Sequence, residues 1–339
     1  MAPRWVKRLM RIAGYGILVV TVLAALAITF TIGWRPVIGA KVRSLTTKKF
    51  DSTAGRRQRG EYLVKGVVGC LYCHSNFDEK SDNPVLLSKE GAGRMFAERG
   101  KYRLVIPNIT SDPETGIGRW SDDAIARAIR EGVSADGRVL FPIMPYEAFR
   151  YLADEDLAAV VIYIRSLEPA RSALPKTKLP FTLSRLIYSL PQPVTGSVPQ
   201  PDTFTPARQG EYLTRISFCA VCHTPESPPP IVKPIRGMEM AGGNTFGDVA
   251  SANLTPDASG IGYYDEALFI EVMRTGHVKA RKLKGPMPWR VYRNMTDEDL
   301  KAVFAYLRTL KPVLHRVDNA EPPTQCRLCG KKHGLGDRN

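Results

Sequence analysis

The chain has 339 residues, enough for two domains of ordinary size plus extensions, each able to bury its own core. Its formal net charge of +15 would suit a nucleic-acid binder, but residues 1–60 hold twelve Lys or Arg against one acidic residue. The excess is therefore mostly a feature of an N-terminal membrane flank, and no nucleic-acid partner is expected.

From Ala13 to Gly33 the chain carries no charge, and that stretch as a helix spans about 31 Å, the thickness of a bilayer core. Arg4, Lys7, Arg8 and Arg11 precede it, and Trp5 and Trp34 stand near its ends, where amphipathic rings favour the headgroup layer. Residues 1–34 are read as a transmembrane anchor. Ala25-Leu26-Ala27 resembles a signal-peptide cleavage site, yet the apolar run continues past it, which favours retention over cleavage. Residues 35–55 form a basic juxtamembrane linker, and since basic residues lie on both sides of the helix, charge alone does not orient it.

Residues 56–168 make a first module. Gly60-Glu61-Tyr62-Leu63 begins it, and Cys70-Leu71-Tyr72-Cys73-His74 follows. Two cysteines three apart share a helical face, where both thiols can form thioethers with one haem while the next residue offers an imidazole to the iron. A zinc site, a redox dithiol or a disulfide would also use a Cys-x-x-Cys pair. A Gly, Pro, Asn and Asp rich loop, Asn108 to Gly118, precedes a helix expected over Asp122–Glu131 and ended near Gly132. Met144 then stands between Pro142 and Pro145, and a terminal helix starting near Asp154 is stopped by Pro169. Residues 169–205 are a proline-rich, semi-rigid linker, in which Phe181, Leu183, Leu186, Ile187 and Tyr188 suggest packing along a domain surface.

Residues 206–315 repeat this plan. Gly210-Glu211-Tyr212-Leu213, Cys219-Ala220-Val221-Cys222-His223, the loop Asn253 to Gly262, a helix over Asp265–Thr275 ended near Gly276, and Met287 between Pro286 and Pro288 recur in the same order. In the terminal helix Thr296 is the expected cap, with Asp297, Glu298 and Asp299 in the first turn and Leu300, Val303, Leu307 and Leu310 as its apolar stripe. The repeat decides the reading of the cysteine pairs: each has its own histidine and its own copy of the surroundings, so two c-type haems are expected, on Cys70, Cys73, His74 and on Cys219, Cys222, His223. The loops' Asn-x-Thr triplets match a glycosylation acceptor, but the repeat explains them better.

The repeat also selects the second axial ligands. Of nine methionines only Met144 and Met287 occupy equivalent places, in proline-flanked loops that can present a thioether to a haem. The iron of the first haem is assigned His74 and Met144, and that of the second His223 and Met287. Met273 and Met295 align with Ile129 and Leu152 and read as core, while Met95, Met238 and Met240 are the fallback candidates.

The two Cys-x-x-Cys-His motifs, the Asn-Ile/Leu-Thr-x-Asp…Gly-Ile-Gly loops, the Met-Pro-Tyr/Trp segments and Leu179-Pro180-Phe181 together give a resemblance that covers about residues 50–315. The chain resembles the membrane-anchored multihaem cytochrome c subunit of bacterial dehydrogenases that oxidise alcohols, gluconate or related sugars and polyols. The resemblance implies an all-α architecture, one N-terminal transmembrane helix followed by two cytochrome c domains. It also implies electron transfer from a dehydrogenase or quinol complex to a terminal oxidase or soluble cytochrome. Because c-type haem is attached outside the cytoplasm in bacteria, the expected location is the inner membrane, single-pass, with the haem domains on the periplasmic side. No acid, base or nucleophile constellation is visible. The rival readings are a dihaem enzyme such as a peroxidase with one open haem site, and a haem-based sensor.

The tail, residues 316–339, departs from the family pattern, which often includes a third haem module. Cys326-Arg-Leu-Cys329 is followed by Gly330 where a haem motif requires histidine, so a third attached haem is not expected. A disulfide is the ordinary outcome outside the cytoplasm, and His333 also permits a metal site, though only with three obvious ligands. His277 and His315 read as surface or tail residues.

Overall fold

The computed structural model describes residues 3–76, 89–227, 233–284 and 286–339. A long helix, α1 (Arg4–Phe30), contains no buried residue, and among the described residues it alone is long and apolar enough to cross a membrane. The short α2 (Arg35–Ile38) follows. The extended segment after it is strapped along the first module: Arg43 bridges Asp123 at 2.8 Å and Glu131 at 2.6 Å, and the Thr46 N–H donates to Asp123. Part of the basic N-terminal flank is thus neutralised inside the fold.

The first module comprises α3 (Ala54–Tyr62), α4 (Cys70–His74), a hairpin of β1 (Arg94–Arg99) and β2 (Tyr102–Ile106), α5 (Asp122–Glu131), α6 (Tyr146–Phe149) and α7 (Asp154–Arg165). In the linker, α8 (Phe181–Leu186) packs on α2, with Arg185 donating to the carbonyls of Pro36 and Val37 at 2.6 Å each. Of the linker's apolar residues Ile187 is buried, whereas Phe181 and Leu186 remain exposed. The second module has α9 (Pro206–Ile216), α10 (Cys219–His223), the two-residue pair β3 (Thr245–Phe246) and β4 (Val249–Ala250), and α11 (Glu266–Thr275). It continues through β5 (His277–Val278), β6 (Arg281–Lys282), α12 (Trp289–Tyr292) and α13 (Asp297–Thr309), and the tail closes as a hairpin of β7 (Pro323–Gln325) and β8 (Lys332–Gly334). The molecule is helix-rich, but the expected all-α description is met only in part: among the described residues four small antiparallel hairpins interrupt the helices.

The closing glycines and the Thr296 cap act as expected, while α11 begins one residue later than expected, with Asp265 as its cap rather than its first residue. Ser121 and Asp265 cap α5 and α11, Thr296 caps α13 by accepting from the Asp299 N–H at 3.1 Å, and Gly132 and Gly276 end α5 and α11 in the left-handed conformation. The repeated Gly-Glu-Tyr-Leu start also acquires a physical reason. Its glycine lies where the first helix of each module crosses the last: a Cβ on Gly60 would stand 2.0 Å from the Ala159 carbonyl oxygen, and one on Gly210 would stand 1.8 Å from that of Ala302. Only a residue without a side chain allows these backbones to touch.

The modules differ by one residue here, since seven positions separate Leu63 from Cys70 and six separate Leu213 from Cys219. The extra residue is absorbed by a π-turn over Leu63–Val67, closed by the Val68 N–H on the Leu63 carbonyl at 2.8 Å.

One apolar core runs through both modules, from Leu63, Val64, Val67 and Val160 to Leu213, Ile216, Leu300 and Leu307. Across it the tyrosines of the repeated start exchange partners. The Tyr212 hydroxyl donates to Asp156 at 2.7 Å and accepts from the Ala153 N–H at 3.1 Å, while Tyr62 donates to Asp299 and accepts from the Thr296 N–H at 3.2 Å. Each tyrosine thereby completes the start of the other module's terminal helix. Burial and the bond to Asp299 push the Tyr62 hydroxyl up to about 12, so it stays a donor at any ordinary pH.

Gly210→Ala should lower the thermal midpoint of the module by an amount equivalent to at least about 2 kcal/mol, the usual cost of forcing a packed interface apart. Gly55→Ala, in the same kind of helix but with nothing within 4 Å of its Cβ, should be neutral or stabilising by up to about 1 kcal/mol. Equal effects in the two melting curves would refute the close-crossing account.

Candidate cofactor sites

Each Cys-x-x-Cys-His motif is a single helical turn, and each is entered through a left-handed residue, Gly69 at φ 64° and Phe218 at φ 50°. Glycine adopts this conformation freely, whereas phenylalanine does so at a cost of roughly 1–2 kcal/mol. Packing holds it there: the Phe218 ring lies edge-on to Phe149 with centroids 6.1 Å apart and tilted against Tyr292 at 6.5 Å. Phe149 belongs to the first module, so the strained residue also belongs to the shared core.

His74 and His223 are buried, and their Nδ1 atoms pair with backbone carbonyls, Pro107 at 2.8 Å and Ala252 at 2.7 Å. With Nδ1 donating, the lone pair is on Nε2, the atom a metal would take. Burial is the chief cause that pushes the His74 imidazole down to about 4, and it lowers His223 likewise, so both rings are neutral and ligand-competent near pH 7. All four cysteines of these motifs are free; burial raises the Cys70 thiol to about 12 and Cys222 to about 11.

The two accepting carbonyls lie directly before the repeated Asn-x-Thr loops. Asn108 Oδ1 accepts from both the N–H and the hydroxyl of Thr110, and its Nδ2 reaches the Ala170 carbonyl at 2.7 Å. Asn253 does the same with Thr255 and donates to the carbonyls of Val313 at 2.8 Å and His315 at 3.2 Å. Both asparagines are buried, which suits a tie between the loop behind the histidine and the chain leaving the terminal helix, and does not suit a glycosylated surface.

Met144 and Met287 occupy matching turns before α6 and α12: each backbone carbonyl accepts from the N–H two residues on, Tyr146 at 2.8 Å and Trp289 at 2.9 Å. In the second module a cavity is lined by Cys219, Cys222, His223 and Met287, with walls from Phe269, Val272, Leu300 and Leu307 and basic groups from Arg281 and Lys284. This donor set and apolar wall fit a porphyrin carried on two cysteines, with the cations suited to its carboxylates. Met273 and Met295 also line this cavity, although the alignment reads them as core. In the first module Met144 is half-buried against the same core as Cys70. Among the fallback methionines, Met95 is exposed on β1, and Met238 packs beside Cys326 and Cys329.

The tail differs from expectation. Cys326 and Cys329 are free thiols rather than a disulfide, and they stand with His333 and with His315, which the sequence reading set aside as a tail residue.

No family model matches the chain. Among curated proteins it is similar to the fructose dehydrogenase cytochrome subunit of Gluconobacter japonicus, 29% identical over 80% of this chain and 56% of that one. It is similar to the cytochrome c subunit of the quinone-dependent alcohol dehydrogenase of Gluconacetobacter polyoxogenes, 27% identical over 81% of this chain and 58% of that one. A diheme cytochrome c-type protein of Cereibacter sphaeroides is 28% identical over 78% of this chain and 89% of its own length. The chain thus resembles cytochrome c subunits of dehydrogenases, while spanning little more than half the length of the first two. These relatives imply c-type haem and support electron transfer.

Replacing Asn253 with Ala should strip partners from Thr255, Val313 and His315 at once and destabilise the second module by about 2–3 kcal/mol. It should also loosen the carbonyl that fixes His223. Thermal melts and the visible spectrum measure the two effects; a variant with unchanged midpoint and spectrum would show that the loop is held by something else.

Proposed function

We propose that the chain is a membrane-anchored electron-transfer protein with two covalently attached c-type haems. The observation that carries this reading is the duplicated arrangement of a Cys-x-x-Cys-His turn whose buried histidine is oriented by a loop carbonyl, with a Met-Pro turn in the equivalent place of each module. Domains are assigned to residues 56–168 and 206–315. Haem supplies one-electron chemistry at iron; the protein attaches, orients and encloses it. His74 with Met144, and His223 with Met287, are the proposed axial pairs, leaving no open position for a substrate. The similarity to dehydrogenase cytochrome subunits supports a dehydrogenase as donor, with a quinol complex as the alternative source and an oxidase or soluble cytochrome as acceptor. Direct passage between the two sites is supported by the single apolar core that both motifs border, with Leu71 and Cys70 of the first and Phe218 and Tyr292 beside the second. Helix α1 is the proposed anchor, with the haem domains on the periplasmic side.

Denatured, acid-acetone-extracted protein should retain haem, with a mass two haems above the polypeptide; one or three would reject the proposal. Met287→Ala should leave one haem five-coordinate or water-ligated, with a lower potential and new carbon monoxide binding, and Met144→Ala should do this at the other. Met273→Ala should cost about 1–3 kcal/mol of packing and preserve the spectrum. If Met287→Ala leaves both haems six-coordinate at unchanged potentials, another side chain is the ligand.

Deleting residues 1–34 behind a cleavable signal peptide should yield a soluble, haem-containing protein on the exported side. Finding the intact chain already soluble after cell breakage would rule out the anchor.

A further inference from the structure

We propose that His315, Cys326, Cys329 and His333 form a structural zinc site that clips the tail onto the second haem module. The four ligand atoms lie within 4.8 Å of one another, and all four residues are buried. The Sγ of Cys326 stands 3.4 Å from Nε2 of His315, close to the edge of about 3.6 Å expected between sulfur and nitrogen ligands on tetrahedral zinc.

The tail hairpin is built around this cluster. Cys326 follows β7 and Cys329 sits in the turn, where the Cys326 N–H donates to the Lys331 carbonyl at 2.9 Å and the Gly330 N–H to the Cys326 carbonyl at 3.1 Å. Gly330 is left-handed, at φ 68°. The residue that replaces the haem-motif histidine is thus the one that turns the chain, and the pair lies on a hairpin turn rather than a helix. His333 returns on β8 with Nδ1 3.0 Å from the Gly334 carbonyl.

The chemistry asks for a metal. The Nε2 of His333 is fully buried and has no hydrogen-bond partner among the described residues, an arrangement that costs free energy unless a ligand takes the lone pair. The Nδ1 of His315 pairs with the Ala241 carbonyl at 2.8 Å, which aims its Nε2 at the cluster. The two rings meet nearly at right angles, centroids 5.1 Å apart. Two sulfurs and two imidazoles are the donor set of tetrahedral zinc. Binding would displace the two thiol protons to solvent, and two thiolates balance the dication, so the buried centre would carry no net charge.

The site ties together chain segments that are remote in sequence. Against it lies the loop before β3, where a Cβ on Gly243 would stand 2.7 Å from the His315 ring and 3.3 Å from the Cys329 sulfur. In that loop the Gly242 N–H donates to the carbonyl of His223 at 2.6 Å. Lys331 reaches Asn244 Oδ1 at 2.6 Å, and Asn244 Nδ2 donates to the carbonyls of Cys222 and Thr224 at 3.2 and 2.7 Å. Metal, tail and haem-attachment peptide are consecutive links.

The test uses the full haem-loaded chain, purified in detergent without a polyhistidine tag or added metal. Elemental analysis should give one zinc for every two irons, and zinc-edge X-ray absorption should fit two sulfurs at about 2.3 Å and two nitrogens at about 2.0 Å. The double variant C326S/C329S should lose the zinc while keeping both irons and the haem spectrum, and proteolysis should then cut within residues 316–339. Should that variant not accumulate, the absorption measurement on the unaltered chain still decides. A Cys326–Cys329 disulfide in peptide mass mapping of zinc-free protein would overturn the proposal, as would zinc that persists in the double variant.

Discussion

The contact on which most of this architecture rests is a backbone-to-backbone approach without side chains: Gly60 against Ala159, and Gly210 against Ala302. Because the first and last helices of each module touch there, Leu63 and Leu213, each three residues on, are driven into the core. The same approach brings the tyrosines beside the crossing to the opposite module's helix start. A wider crossing would lose the tyrosine pairs and the continuity of the core together.

Much of this was legible in the sequence because the chain reports each feature twice. Asp122–Glu131 is a helix with the bounds expected of it, closed at Gly132, and Thr296 caps as its position implies. Duplication also picked Met144 and Met287 out of nine methionines, and they do share a turn geometry. It could not say which module each tyrosine serves, since a repeat is equally consistent with pairing inside a module or between modules. The one-residue excess before Cys70 was visible as a spacing, but not as the π-turn that absorbs it.

Other features lacked a periodic signal altogether. Two-residue strands such as Thr245–Phe246 are too short for alternation to mark them. His315 read as a surface or tail residue because it lies eleven residues from the cysteine it faces, beyond a proline-terminated helix, and its partners are defined by folding alone. Arg43 read as one more membrane-flanking cation, yet it is the half-buried partner of the buried Asp123 and Glu131, a role assigned by residues far along the chain.

The exchange of tyrosines has the form of an isologous contact, the kind a symmetric dimer makes with itself, here between halves of one polypeptide. In a true dimer every substitution is imposed on both halves, so cofactors held at the two sites would be identical and neither would favour the electron. Fusion removes that constraint. Asp156 is met by the guanidinium of Arg59, whereas the equivalent Asp299 is met by the amide of Gln209. Gly69 and Phe218 diverge in the same way directly before the cysteines. A duplicated chain can therefore keep the packing of a dimer while giving its two halves unequal electrostatic surroundings, and inequality of that kind is what lends a two-site relay a direction.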